Sequence, residues 1–153
     1  VRLSALLTQY LAGVSTLAVF PTLPDELLWT KPAPDAPSAA EVIVHLAQTE
    51  ICWSAWYRQI LLSDAPALVD WSLRDAESGL HYEKRTVLVP VGTITALRHD
   101  NVELFAALTP QQWRRPGNHP ELGPTPLRDL VLLASTTMIE ELARARRAVN
   151  GSA

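Results

Sequence analysis

Apolar side chains return every three or four residues in four stretches of this chain, the spacing that lines one face of an α-helix. The first stretch covers residues 2–16, with Leu3, Leu6, Leu7, Tyr10, Leu11 and Val14 on one side. The second follows Ser38, where SAAE sets a glutamate three residues beyond a serine, as a capping box requires. Its inward face, Val42, Leu46, Trp53, Trp56 and Ile60, runs to about Leu62, before Ser63, Asp64 and Pro66 end the helix. The third stretch, residues 93–108, buries Ile94, Leu97, Val102, Phe105 and Leu108. The fourth opens at Thr125 and Pro126, a cap followed by proline in the first turn, and reaches about Val149. Leu127, Val131, Ala134, Met138, Leu142, Ala145 and Val149 form its apolar arc.

Between these stretches the pattern breaks. Prolines 32, 34 and 37 allow no helix between the first and second stretches beyond a short turn around residues 25–28. Residues 64–92 fit neither period well. TVLVPV within them has strand composition, but Pro90 and the want of a partner strand argue against a sheet, so an irregular path across the bundle end is expected. Thr109 and Pro110 predict a single capped turn, and Pro116, Gly117, Pro120, Gly123 and Pro124 predict a loop. Four bundle-length helices with no convincing strand predict an all-α four-helix bundle. A chain of 153 residues fits one domain, residues 1–153.

Composition narrows the function classes. With 48% apolar and 19% charged residues the chain is globular rather than disordered. A formal net charge of −3 gives no electrostatic reason for a nucleic-acid partner. The cations of RARR, residues 144–147, sit where a helix C-terminus favours them. Cys52 is the only cysteine, which excludes an intrachain disulfide and suits a reducing, cytoplasmic setting. Between Ile51 and Trp53 it reads as an inert core thiol. The N-terminal run resembles a signal peptide in having Arg2 before apolar residues, yet Gln9 and Tyr10 interrupt it, and its helical spacing makes it the first bundle helix. No apolar run approaches the ~20 residues of a membrane span, so no membrane partner is expected.

Polar residues on apolar faces carry the candidate chemistry. His45 flanks the face of the second helix, Arg98 lies within that of the third, and Glu141 points into the arc of the fourth, with Thr137 one turn earlier at its edge. A buried glutamate is costly unless paired and hydrogen-bonded. One reading is structural: Arg98 pairs with Glu141, and His45 donates to a carbonyl or to the same carboxylate. The other is a metal site, since imidazole and carboxylate both bind zinc. His45 and Glu141 are one ligand short of a catalytic zinc set, and the Thr137 hydroxyl is a poor third. His81 and His99 read as surface residues.

Two segments together resemble the DinB/YfiT-like superfamily. PSAAEVIVHLAQTEICWSAWYRQIL resembles its second helix, with a histidine followed by an acidic residue, here Glu50, which with Arg98 is expected as a pocket or core polar residue. WRRPGNHPELGPTPLRDLVLLASTTMIEELARARRA resembles its later signature, through Trp113, His119, Pro120 and Gly123. The resemblance implies an up-down-down-up four-helix bundle, commonly a homodimer, with zinc or nickel held by three histidines, two of them spaced H-x-x-x-H on the last helix. It also implies small-molecule chemistry, such as transfer to low-molecular-weight thiols. His45 matches the first histidine, but Thr137 and Glu141 stand at the positions of the pair. The site is therefore degenerate, and the expectation is a metal-free bundle that binds a small molecule or serves as a dimeric interaction module. The alternative is a divalent-metal enzyme such as a thiol S-transferase.

Overall fold

The computed structural model describes residues 2–73 and 76–152. Its helices are α1 Leu3–Leu11, α2 Val14–Leu17, α3 Asp25–Trp29, α4 Ala39–Leu62, α5 Ala76–Gly79, α6 Leu88–Ala106, α7 Pro110–Trp113 and α8 Leu127–Val149. Strands β1 Pro116–His119 and β2 Gly123–Pro126 form an antiparallel hairpin. The expected capping box starts α4: Ser38 Oγ accepts from the Glu41 amide, and Glu41 Oε2 accepts from the Ser38 amide. Thr109 and Gln112 cap α7 in the same way.

α1, α4, α6 and α8 make the expected four-helix bundle. α4 packs against both α6 and α8, and α1 closes the ring against the same two. Glu50 meets Arg98 and Ser54 meets Asn101, so α4 and α6 run parallel. Ile43 shares a core with Met138 and Ile60 shares one with Leu127, so α8 runs against α4. Leu6 and Tyr10 lie in the core of Leu127 and Val131, while Leu11 packs against that of Met138, which makes α1 parallel to α8. The order is up-down-down-up.

Two apolar cores are stacked along the bundle. One gathers Val14, Leu17, Ile43, Ile94, Met138 and Ala145; the other gathers Leu6, Tyr10, Trp56, Phe105, Leu130 and Val131. Between them runs a buried polar layer of Glu50, Ser54, Arg98 and Asn101. Gly13, at φ +90°, breaks the first helix and lets its second segment pack against α6. A Cβ there would lie 2.6 Å from Leu142 Cδ1. By length and composition the stretch Leu3–Thr22 is apolar enough to cross a membrane, which corrects the expectation that no run approaches that length. In the fold it is broken at Gly13 and gives Leu6, Tyr10, Leu17 and Phe20 to the cores.

Other expectations need correction. α6 begins at Leu88, not near residue 93, because Pro90 falls in its first turn, where its missing N–H breaks no helical bond. Burial of Val87 and Val91 holds that turn down. Residues 64–92 contain 3₁₀ turns at Trp71–Leu73 and Tyr82–Lys84 as well as α5; residues 74–75 lie outside the described ones. The expected loop at 116–124 is a hairpin, which also takes in Thr125 and Pro126. Its proline-rich strands escape the alternating pattern by which strands are recognised. Gly117 sits so close to Leu68 and Ile60 that a Cβ would come within 2.9 Å of both. Thr125 does not cap α8: its hydroxyl donates to the Gly123 carbonyl, and Pro126 takes the cap position.

Candidate functional site

His45 lies half-buried on α4, one turn after the floor made by Val42. Its Nδ1 is 2.8 Å from the hydroxyl of Tyr82, which packs on the flank of α4. Burial, helped by the charge of Glu77, pushes the Tyr82 phenol up to about 12, so the hydroxyl stays protonated at neutral pH. A neutral phenol holds one ring nitrogen in a fixed direction. His45 lines a cleft of about 320 Å³ together with Lys31, Glu41, Glu77, Glu141 and Arg144.

α4 and α8 thus bring His45 and Glu141 to one cleft, but not to a dry interior. The Glu141 side chain is 26% exposed, and its Oε2 is 3.7 Å from the Arg144 guanidinium one turn on. Glu41 caps α4 with one oxygen and faces Lys31 Nζ at 3.6 Å with the other. Thr137 is half-buried and does not line the cleft. Among the described residues no three His, Cys, Asp or Glu side chains are arranged to hold a metal ion. His45 leaves its Nε2 open, but Glu41 is engaged as a helix cap and Glu141 lies beside a guanidinium, and the cleft does not assemble the three-ligand set that zinc or nickel chemistry needs. These residues do not fit the family's metal site.

Arg98 does not pair with Glu141, contrary to the structural reading; its carboxylate partner is Glu50. Its Nε donates to Glu50 Oε2 at 2.8 Å, and its terminal nitrogens donate to the carbonyls of Tyr10 and Ala134. The Tyr10 hydroxyl donates to Glu50 Oε1 at 2.8 Å and accepts from Asn101 Nδ2, which also reaches Ser54 Oγ. Burial works against the Arg98 charge, but Glu50 and the two phenols Tyr10 and Tyr57 outweigh it and hold the pKa above the ordinary arginine value. Burial first, then neighbouring acidic groups, raises both phenols. This network ties α1, α4, α6 and α8 together, and it is satisfied at every charged atom, so it is framework rather than reactive machinery.

Sequence reasoning found His45, Glu50, Arg98 and Glu141 but missed Tyr82, Tyr10 and Asn101. Tyr82 came from an irregular connection, where no period marks a face. Asn101 follows Arg98 by three residues on α6, and that spacing was the available signal. Cys52 is buried as expected; desolvation and the nearby Asp70 carboxylate push its thiol up to about 12. His119 holds the hairpin tip, its Nδ1 accepting from the Glu121 and Leu122 amides, with its ring edge-on to Trp56. His81 is an exposed residue facing Glu83, and His99 is exposed.

Comparisons with known proteins relate the chain to a family and to solved structures. The profile of the DinB superfamily matches residues 11–136. The solved structure of YfiT from Bacillus subtilis, described as a probable metal-dependent hydrolase with an unusual four-helix bundle topology, aligns at a TM-score of 0.82. Identity is 16%, over 99% of this chain and 89% of that one, a likeness of fold. A comparison with curated proteins returned no match.

Proposed function

The chain belongs to the DinB superfamily, and we propose that it is a bundle protein whose His45 cleft binds a small polar molecule without a tightly held metal. The observation that carries this is the donor set: among the described residues the cleft brings no three His, Cys, Asp or Glu side chains together to hold an ion, and Glu141 already lies beside Arg144. That arrangement suits hydrogen bonding and charge pairing with a ligand. His45 offers a ring edge of fixed direction, and Glu141 and Arg144 offer one charge of each sign across a cleft of about 320 Å³, within the usual range for small-molecule sites.

The convergence of His45 and Glu141 supports a second reading, a divalent-metal enzyme with two protein ligands, in keeping with the description of YfiT. The thiol S-transferase alternative is one form of it. Melting curves with and without Zn²⁺ or Ni²⁺, with elemental analysis of the purified protein, separate the two. A metal-free protein whose melting temperature ignores both ions is expected. Stoichiometric metal, or a clear upward shift that His45→Ala abolishes, would transfer the conclusion to the metal enzyme. We further propose a homodimer, for which exposed Leu62, Val69, Leu88 and Val89 provide apolar surface. Light scattering that reads one 16.8 kDa species ends that proposal.

A further inference from the structure

A second cavity lies at the other end of the bundle. The start of α1, the turn after α6, α7 and the start of α8 enclose about 370 Å³. Leu3, Leu6, Leu108 and Trp113 form apolar walls, and Arg114 and Arg128 stand beside them. Both arginines are exposed. Among the described residues neither has a carboxylate within 4.0 Å, a state they share with Arg2, Arg85, Arg146 and Arg147 but not with Arg58, Arg98, Arg115 and Arg144. The Trp113 indole is buried, and its Nε1–H has no partner among the described residues.

We propose that this cavity binds a small organic anion with an apolar body, its head a carboxylate or a phosphate monoester. Two uncompensated guanidiniums at the edge of a low-dielectric hollow concentrate positive potential there, in a protein whose net charge is −3. Each presents a planar fork matched to an oxyanion. The leucine and indole walls accept hydrocarbon that water rejects. A neutral lipid would leave the cations unused, and a small hydrophilic anion would leave the walls unused. The site shares no residue with the His45 cleft, so the fate of one reading does not decide the other.

Isothermal titration at low ionic strength with octanoate, octyl phosphate, octanol and butyrate tests the proposal. At least one of the two eight-carbon anions is expected to bind saturably, with octanol about tenfold weaker or more, as expected for loss of a charge-assisted contact. Butyrate should not bind measurably. The better of the two anions identifies the head group. An Arg114→Gln, Arg128→Gln double variant, altered only at exposed positions, should fold normally and bind the anions no better than octanol. In the wild type the indole Nε1–H resonance of Trp113, assigned with Trp113→Phe, should move during the titration. Equal affinities for octanol and the anions, no saturable binding of either anion, a double variant with undiminished anion affinity, or a stationary Trp113 resonance would each overturn the proposal.

Discussion

Glu50 and Glu141 sit on neighbouring helices, both among apolar neighbours, and the fold treats them in opposite ways. Glu50 is 3% exposed, and each of its oxygens accepts a 2.8 Å bond, from Arg98 and from Tyr10. Glu141 keeps 26% of its side chain in solvent and has only a loose partner one turn away. A carboxylate can enter a core only when a complete set of donors goes with it. Three other helices contribute to the Glu50 network: Tyr10 comes from α1, Arg98 and Asn101 from α6, and the Ala134 carbonyl from α8. Nothing comparable surrounds Glu141, so its region remains a cleft open to a ligand. The first acid is framework and the second is available chemistry.

Substitutions can break that contrast. The largest effect is expected from Arg98→Leu or Glu50→Leu, each of which strands a buried charge at a cost of about 3–5 kcal/mol. Urea denaturation measures it, and the Glu50→Leu, Arg98→Leu double variant should recover part of the loss. Single variants within about 1 kcal/mol of wild type would mean that the layer is not framework. Asn101→Leu, which removes the link between Tyr10 and Ser54, should cost about 1–3 kcal/mol.

Alkali should strike the buried phenols beside that layer and the buried thiol on α4. Tyr10, Tyr57 and Cys52 hold their protons more tightly when folded, because burial disfavours their anions. The unfolded chain ionises thiols near about 8.5 and phenols near about 10, so the folded state binds more protons above those values. Stability is then full below about pH 8.5 and falls as pH rises toward 12 and beyond, the thiol contributing between about 8.5 and about 12. Glu50→Gln, which removes one cause of the raised phenols, should make that decline shallower from a lower starting stability. A melting temperature that rises above pH 9 contradicts the assignment. For the same reason Cys52 should resist thiol reagents at pH 8 until the protein is unfolded, as a chromogenic disulfide would report. The smallest effect belongs to Glu141→Gln, expected within about 0.5 kcal/mol of wild type by the same urea titration. A loss comparable to that of Glu50→Leu would erase the distinction.

Much of the architecture was readable from local patterns. The apolar periods located the bundle helices, and SAAE and Thr109–Pro110 located two helix starts. Where local signals compete, the reading failed. The run 86–91, strand-like in composition and expected to follow an irregular path, leads into α6, since burial of Val87 and Val91 outweighs propensity. The hairpin escaped because proline and glycine fill its strands, and it docks through Gly117 against Ile60 and Leu68, residues far from it in sequence. At the site, His45 and Glu141 were legible as inward-leaning residues, and their convergence followed from the bundle; Tyr82, in an irregular connection, was not.

Sequence alone determined that four helices would bury four apolar faces, because periodicity and capping are properties of neighbouring residues. It also determined that an arginine and more than one carboxylate would have to be accommodated near those faces. Which acid meets Arg98 was decided only by tertiary structure. That choice depends on the rotation of α4, α6 and α8 about their own axes and on their axial stagger, to within the 2.8 Å of a hydrogen bond. No spacing along a single helix carries that information.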